Sequence, residues 1–117
     1  MDDIAAASLT LVLVTGLPGT GKSTMAEIAA EALGAPVLGH DWAMSGLRPY
    51  PEIQTALDEM DPSGHRAVGW SIISALAREQ LRRGSSVVLD GVARKPEILR
   101  CHELAHEERA RTVLVVT

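Results

Sequence analysis

Leu9-Thr10-Leu11-Val12-Leu13-Val14-Thr15-Gly16-Leu17-Pro18-Gly19-Thr20-Gly21-Lys22-Ser23-Thr24 is the stretch that decides the fold. Its first half is a short apolar run ending at Gly16, which suits a strand buried on both faces of a parallel sheet. Its second half, residues 16–23, fits G-x-x-x-x-G-K-[ST] at every fixed position. Backbone N–H groups must wrap a phosphate chain, and a Cβ would obstruct that approach, hence the glycines. The loop feeds a helix N-terminus, whose free N–H groups and dipole favour an anion. Lys22 is then placed to reach the β- and γ-phosphates, and the Ser23 hydroxyl to sit on Mg²⁺. The competing reading, a glycine-rich turn before an ordinary helix, leaves the complete motif between strand and helix to coincidence.

Working outward, Met25, Ile28, Ala29, Ala32 and Leu33 recur at helical spacing until Gly34 and Pro36 stop the helix. Residues 36–40 form a plausible second strand. From Trp42 to Met60 the pattern is broken by Gly46, Pro49 and Pro51, and it predicts a loop with a short helix. Asp61-Pro62-Ser63-Gly64 is a helix start, and Trp70, Ile73, Ala77 and Leu81 mark that helix's buried face. Arg82 and Arg83 suit its last turn, and Gly84 ends it. Val87-Val88-Leu89 is a third buried strand, Pro96 opens a helix to about Arg109, and Val113 to Val116 form a fourth strand. Strands alternating with helices imply βαβ units with right-handed crossovers. The fold class is therefore α/β: three layers, with a parallel sheet of about four strands flanked by helices, and residues 1–117 forming one nucleotide-binding domain.

Composition narrows the function. The 117 residues carry a net charge of −4 and 46% apolar residues, with no apolar run long enough for a bilayer. The acidic start Met1-Asp2-Asp3 does not resemble a secretory signal, so a cytoplasmic location is expected. The negative charge and the shortage of aromatics (Trp42, Trp70 and Tyr50 only) give no strong nucleic-acid signal. The single Cys101 cannot form an internal disulfide and reads as a buried structural thiol.

A second chemical signal is Val87-Val88-Leu89-Asp90, an apolar strand ending in an acid. Paired with the phosphate loop at the C-terminal edge of one parallel sheet, Asp90 becomes a Mg²⁺ ligand, directly or through water. Alone, Asp90-Gly91 would be read as a turn.

Together these residues resemble the P-loop small-molecule kinases, the adenylate-kinase, shikimate- and gluconate-kinase and zeta-toxin-like group. Gly16-Leu17-Pro18-Gly19-Thr20-Gly21-Lys22-Ser23-Thr24 is similar to their nucleotide loop, and Asp90-Gly91-Val92-Ala93-Arg94 looks like the D-G-x-x-R segment of nucleotide kinases. The resemblance implies that ATP and Mg²⁺ are bound and that the γ-phosphate passes to a small-molecule or nucleotide acceptor. It also implies that Asp41 orients or deprotonates the acceptor hydroxyl, that Arg94 holds acceptor or phosphoryl, and that Arg48 joins the acceptor pocket. The plainer alternative is that Asp41 caps the next segment and Arg94 is a solvated surface arginine. Kinases of this group continue into an arginine-bearing lid and a further strand. The sequence stops on a strand at Thr117, so a C-terminally incomplete domain, truncated before the lid and last strand, is expected.

Two alternatives stand beside the kinase. One is a P-loop ATPase or switch domain without a phosphoacceptor. No base-reading N-K-x-D segment supports a GTPase, and an AAA-type motor would require sensor and arginine-finger elements in a larger chain. The other is a zinc hydrolase through His102-Glu103-Leu104-Ala105-His106, an H-E-x-x-H pattern on a predicted helix. No third histidine follows at a suitable spacing, Glu107 and Glu108 are too near in sequence, and coincidence is the better reading.

Overall fold

The computed structural model describes residues 9–117, so the acidic Met1-Asp2-Asp3 start lies outside the described residues. The elements are β1 (Thr10–Thr15), α1 (Lys22–Leu33), β2 (Val37–Gly39), α2 (His40–Ser45), α3 (Pro51–Glu59), α4 (Pro62–Arg82), β3 (Val87–Asp90), α5 (Lys95–Glu107) and β4 (Arg111–Val116). The four strands form one parallel sheet in the order β2-β3-β1-β4. β1 is therefore internal and buried at all six positions, as its unbroken apolar run predicts.

Strand periodicity divides the core between two faces. Leu11 and Leu13 of β1, with Val87 and Leu89 of β3, meet Trp70, Ile73, Ala77 and Leu81 of α4 and Cys101, Leu104 and Ala105 of α5. Val12, Val14 and Val88 point the other way, onto Ala26 and Ala30 of α1. Each fully buried Leu, Ile or Val side chain contributes roughly 1.5–3 kcal/mol of transfer free energy. The result is helix, sheet, helix, with α1 alone on the second face. Small alanines there bring α1 close to the sheet and fix the loop that leads into it.

The start of α4 follows its sequence signature. The Asp61 carboxylate accepts from Gly64 N at 2.9 Å and from Ser63 Oγ at 2.7 Å, and Pro62 occupies the first helical position. Those bonds, the Ser63 hydroxyl first, hold the Asp61 carboxyl below its ordinary value. At the end of α5 the chain turns with Arg109 at φ 60, and Ala110 N donates to Ala105 O at 2.8 Å, so the helix closes at Glu107.

The region between Trp42 and Met60 differs from the predicted loop and short helix. It holds the two helices α2 and α3, joined through residues 46–50, and His40 begins α2 instead of ending a strand. Pro51 is the first residue of α3, where its missing N–H costs nothing, so it starts a helix instead of breaking one. β4 begins at Arg111 and lies at the sheet edge with Val113, Leu114 and Val116 exposed by 40%, 46% and 69%.

Candidate nucleotide-binding site

The site grows from the C-terminal end of the sheet. Val14, Asp90 and Gly39 are neighbours across β1, β3 and β2, which brings the phosphate loop, the acid of β3 and the His40-Asp41 turn to one edge. Residues 16–21 leave β1 and enter α1 through Gly21, whose φ of 85 opens the left-handed region; Gly19 shares it at φ 83. A Cβ built at either glycine meets no atom within 4 Å, so the concave side of the loop is open. Gly21 offers no side-chain cap to α1, and the first turn holds no acid. Its N–H groups and dipole are thus left for an anion.

Lys22 Nζ lies 3.4 Å from Asp90 Oδ1, both side chains being 14% exposed. That separation exceeds a good hydrogen bond, and Asp90 Oδ1 is buried with no hydrogen-bond partner. A buried carboxylate oxygen left this way calls for a ligand. Ser23 lines the same cleft as Asp90. One hydroxyl, one carboxylate and the phosphate oxygens of a nucleotide form the donor set that Mg²⁺ takes. The residues therefore fit Mg-nucleotide.

Two residues missed in the sequence hold this edge together. The Thr15 hydroxyl accepts from Ala93 N at 2.9 Å, and Gly91 N donates to Val14 O at 3.2 Å, fastening the segment after Asp90 to β1. Thr117 braces the phosphate loop: its N donates to Thr15 O at 2.9 Å, and its hydroxyl lies 2.6 Å from that of Thr20, which donates to Leu17 O. A Cβ at Gly16 would run into Thr117 Oγ1 and come within 2.8 Å of Thr20 Oγ1. No local pattern betrays either threonine, because both contacts join residues far apart in the chain.

His40 is packed behind the turn that leads from β2 into α2. Its Nε2 lies 3.0 Å from Arg66 O, its ring stands 5.6 Å from that of Trp70, and its Nδ1 is 3.8 Å from Asp41. With the carbonyl of Arg66 able only to accept, Nε2 carries the proton. The Asp41 side chain is 98% exposed at the start of α2, next to the cleft.

That cleft, about 300 Å³, is lined by Ser23, Glu27, Val37, Gly39, Trp42 and Asp90. Trp42 and Glu27 were not singled out as site residues from the sequence, because an aromatic within a mixed segment and an acid on a helix face carry no signature. Arg48 is exposed in the turn between α2 and α3 and does not line the cleft. Arg94 precedes the first residue of α5, exposed, and lines a different cavity with Arg66, Glu97 and Arg100. The structure thus pairs Lys22 with Asp90, puts Ser23 and Asp90 on one cleft, leaves Asp41 exposed at the start of α2 outside that lining, and gives Arg48 and Arg94 separate surroundings.

His102, Glu103 and His106 lie on α5 with both histidines exposed. Among the described residues no group of three His, Cys, Asp or Glu side chains could hold a metal ion, so the zinc reading lacks its third ligand. Cys101 is 2% exposed, and burial pushes its thiol up to about 11, the state of an inert packing residue. No helix among the described residues is long and apolar enough to cross a membrane.

Known proteins are similar to this chain in sequence or fold. The chain is 38% identical over 88 residues to a UPF0200 protein of Aeropyrum pernix, covering 70% of this chain and 46% of that protein. It is 34% identical over 102 residues to an uncharacterized protein of Mycobacterium tuberculosis, covering 81% of this chain and 20% of that one. The chain thus spans less than half the length of these curated relatives. The structure of a substituted APS kinase of Mycobacterium tuberculosis superposes with a TM-score of 0.66 at 21% identity, over 92% of this chain and 73% of that one, a likeness of fold. The profile of the AAA_33 family, described as an AAA domain, matches residues 11–117. With the phosphate loop in place at the edge of the parallel sheet, the chain belongs to the AAA_33 family.

Proposed function

We propose that this core serves a small-molecule kinase that transfers the γ-phosphoryl group of ATP to an acceptor hydroxyl. The observation that carries the reading is the cleft lined by both Ser23 and Asp90, with Gly39 and Trp42, which flank His40 and Asp41 in sequence, in the same lining. A nucleotide hydrolase needs the loop and the acid; a transferase also needs room for a second substrate beside them. The loop from Gly16 to Thr24 wraps the phosphates, and Lys22 offsets charge on the group in transfer. Ser23 and Asp90 would hold Mg²⁺, which would neutralise charge developing on the phosphate oxygens.

The acceptor oxygen forms a bond to Pγ as the bond from Pγ to the β–γ bridging oxygen breaks, and ADP leaves with that electron pair. Asp41 orients the hydroxyl and takes its proton or passes it to water. Arg94 and Arg48, which lie outside the cleft, have no part in this step. Positioning and electrostatics account for most of the catalysis.

Calorimetric titration with Mg-ATP tests the reading. We expect binding by the native chain and a loss of at least about tenfold in affinity, equivalent to about 1.4 kcal/mol, in Lys22→Ala. Nucleotide binding that survives the substitution unchanged would remove Lys22 and the loop from the site. Turnover retained in Asp41→Asn would remove the acid. The AAA description of the family supports a second reading, an ATPase or switch domain. Hydrolysis that no acceptor accelerates would favour it.

A further inference from the structure

Which acceptor the cleft accepts is written in its lining. Trp42 is 71% exposed, in a chain that has no phenylalanine and only two tryptophans. An exposed tryptophan alone needs no explanation, but this one shares a cavity with Ser23 and Asp90. Its backbone is fixed, since Ser45 Oγ donates to Trp42 O at 2.6 Å, and its Cβ lies 3.6 Å from where a Cβ on Gly39 would stand. Trp42 thus lines the cleft from a backbone held at the carbonyl.

The charges around it are one-sided. Of the two carboxylates lining the cleft, Asp90 is matched by Lys22. Glu27 has no ion pair or hydrogen bond among the described residues. No lysine or arginine lines this cleft; Arg66, Arg94 and Arg100 gather in another cavity. The remaining neighbour with charge is Asp41, one residue before Trp42 and almost wholly exposed.

An anionic acceptor would meet Glu27 without a compensating cation. A neutral one could offer the exposed Glu27 carboxylate a hydrogen bond but would leave its charge unmatched. A cation satisfies both groups, placing its charge over the indole face and against the acid. We propose that the acceptor is an alcohol bearing an ammonium group, held by Trp42 and Glu27. This rests on the kinase reading of the cleft and adds the class of substrate. Trp42 and Glu27 determine specificity, and the hydroxyl of the same molecule is what Asp41 receives.

The test uses the whole chain with saturating Mg-ADP, whose binding is measured by calorimetry on the same sample. Choline serves as the probe and 3,3-dimethylbutan-1-ol as its neutral isostere. Trp70 is 2% exposed, so quenching of tryptophan emission reports chiefly on Trp42. Saturable quenching by choline at least tenfold tighter than by the isostere is expected, weakened at least fivefold in Glu27→Gln. Saturation-transfer NMR of the choline methyl signal should vanish in Trp42→Leu, with Mg-ADP binding measured in each variant as the check on folding. If Mg-ADP binds but choline binds no tighter than its isostere, or Glu27→Gln leaves it unchanged, the ammonium class is wrong and the kinase reading stands. If the folded chain binds no Mg-ADP, both fall together.

Discussion

Gly69 lies in the interior of α4, where replacement by alanine would ordinarily stabilise a helix by about 1 kcal/mol. Here the opposite is expected. A Cβ at Gly69 would collide with His40 Nε2 and come within 2.7 Å of Cδ2 and 2.9 Å of Cε1, the whole edge of the imidazole. The ring cannot swing away cheaply. It is 12% exposed, bonded to Arg66 O, set against Trp70, and backed by Gly91, where an added Cβ would stand 2.8 Å from His40 Cβ. Overpacking of this kind costs about 1–3 kcal/mol, and the lost imidazole bond about 1 kcal/mol more. The helix-propensity gain offsets roughly the second of these, so Gly69→Ala should destabilise by about 1–3 kcal/mol. In a His40→Ala background the seat is empty, and the same substitution should stabilise by about 1 kcal/mol. Urea unfolding of the four proteins, followed by Trp70 emission, measures the cycle. Gly69→Ala that stabilises the native background, or shifts both backgrounds alike, would refute the claim that imidazole and glycine share one space.

Two further outcomes follow from burial and charge. Burial raises the Cys101 thiol from 9.0 to about 11, so the fold favours the neutral form; its contribution is intact below pH 9 and is lost as pH rises towards 11, by up to about 1.4 kcal/mol per pH unit. Cys101→Ala should flatten that part of the stability profile in urea titrations at stepped pH. Arg78 bridges Glu107 at 2.8 Å and Glu108 at 3.2 Å, tying α4 to the end of α5, but its side chain is 34% exposed. Arg78→Ala should therefore cost only about 1 kcal/mol at low salt, and the difference from the native chain should shrink in about 1 M NaCl.

What could be read from the sequence was whatever is enforced over a few neighbouring residues. The phosphate loop is local chemistry, and the run from Leu11 to Val14 declared an internal strand because both faces of β1 are covered. Asp61-Pro62 announced α4 through a cap that depends on residues three apart. Between Trp42 and Met60, short helices stabilised by tertiary contacts leave little periodicity, and Pro51 was ambiguous between breaker and first residue. The lining of the cleft was illegible for a related reason. Trp42 and Glu27 line one cleft from different elements, and nothing near either in sequence shows it. Arg94 was placed by its order along the chain, whereas its surroundings depend on where α4 and α5 converge.

The brace at Thr117 carries a consequence for the order of events during synthesis. The loop around Gly16 is made well before its supports: the hydroxyl that braces Thr20 is 97 residues later, in Thr117, and β3, the neighbouring strand, begins only at Val87. Contacts so distant in sequence close late and slowly, because loop-closure entropy is spent before they form. A nascent chain therefore displays a complete phosphate-loop motif long before it has a braced loop, and nucleotide cannot template its early folding. Acquisition of nucleotide affinity should coincide with docking of β4, which makes ligand binding a reporter of a late step in assembling this sheet and not of the first.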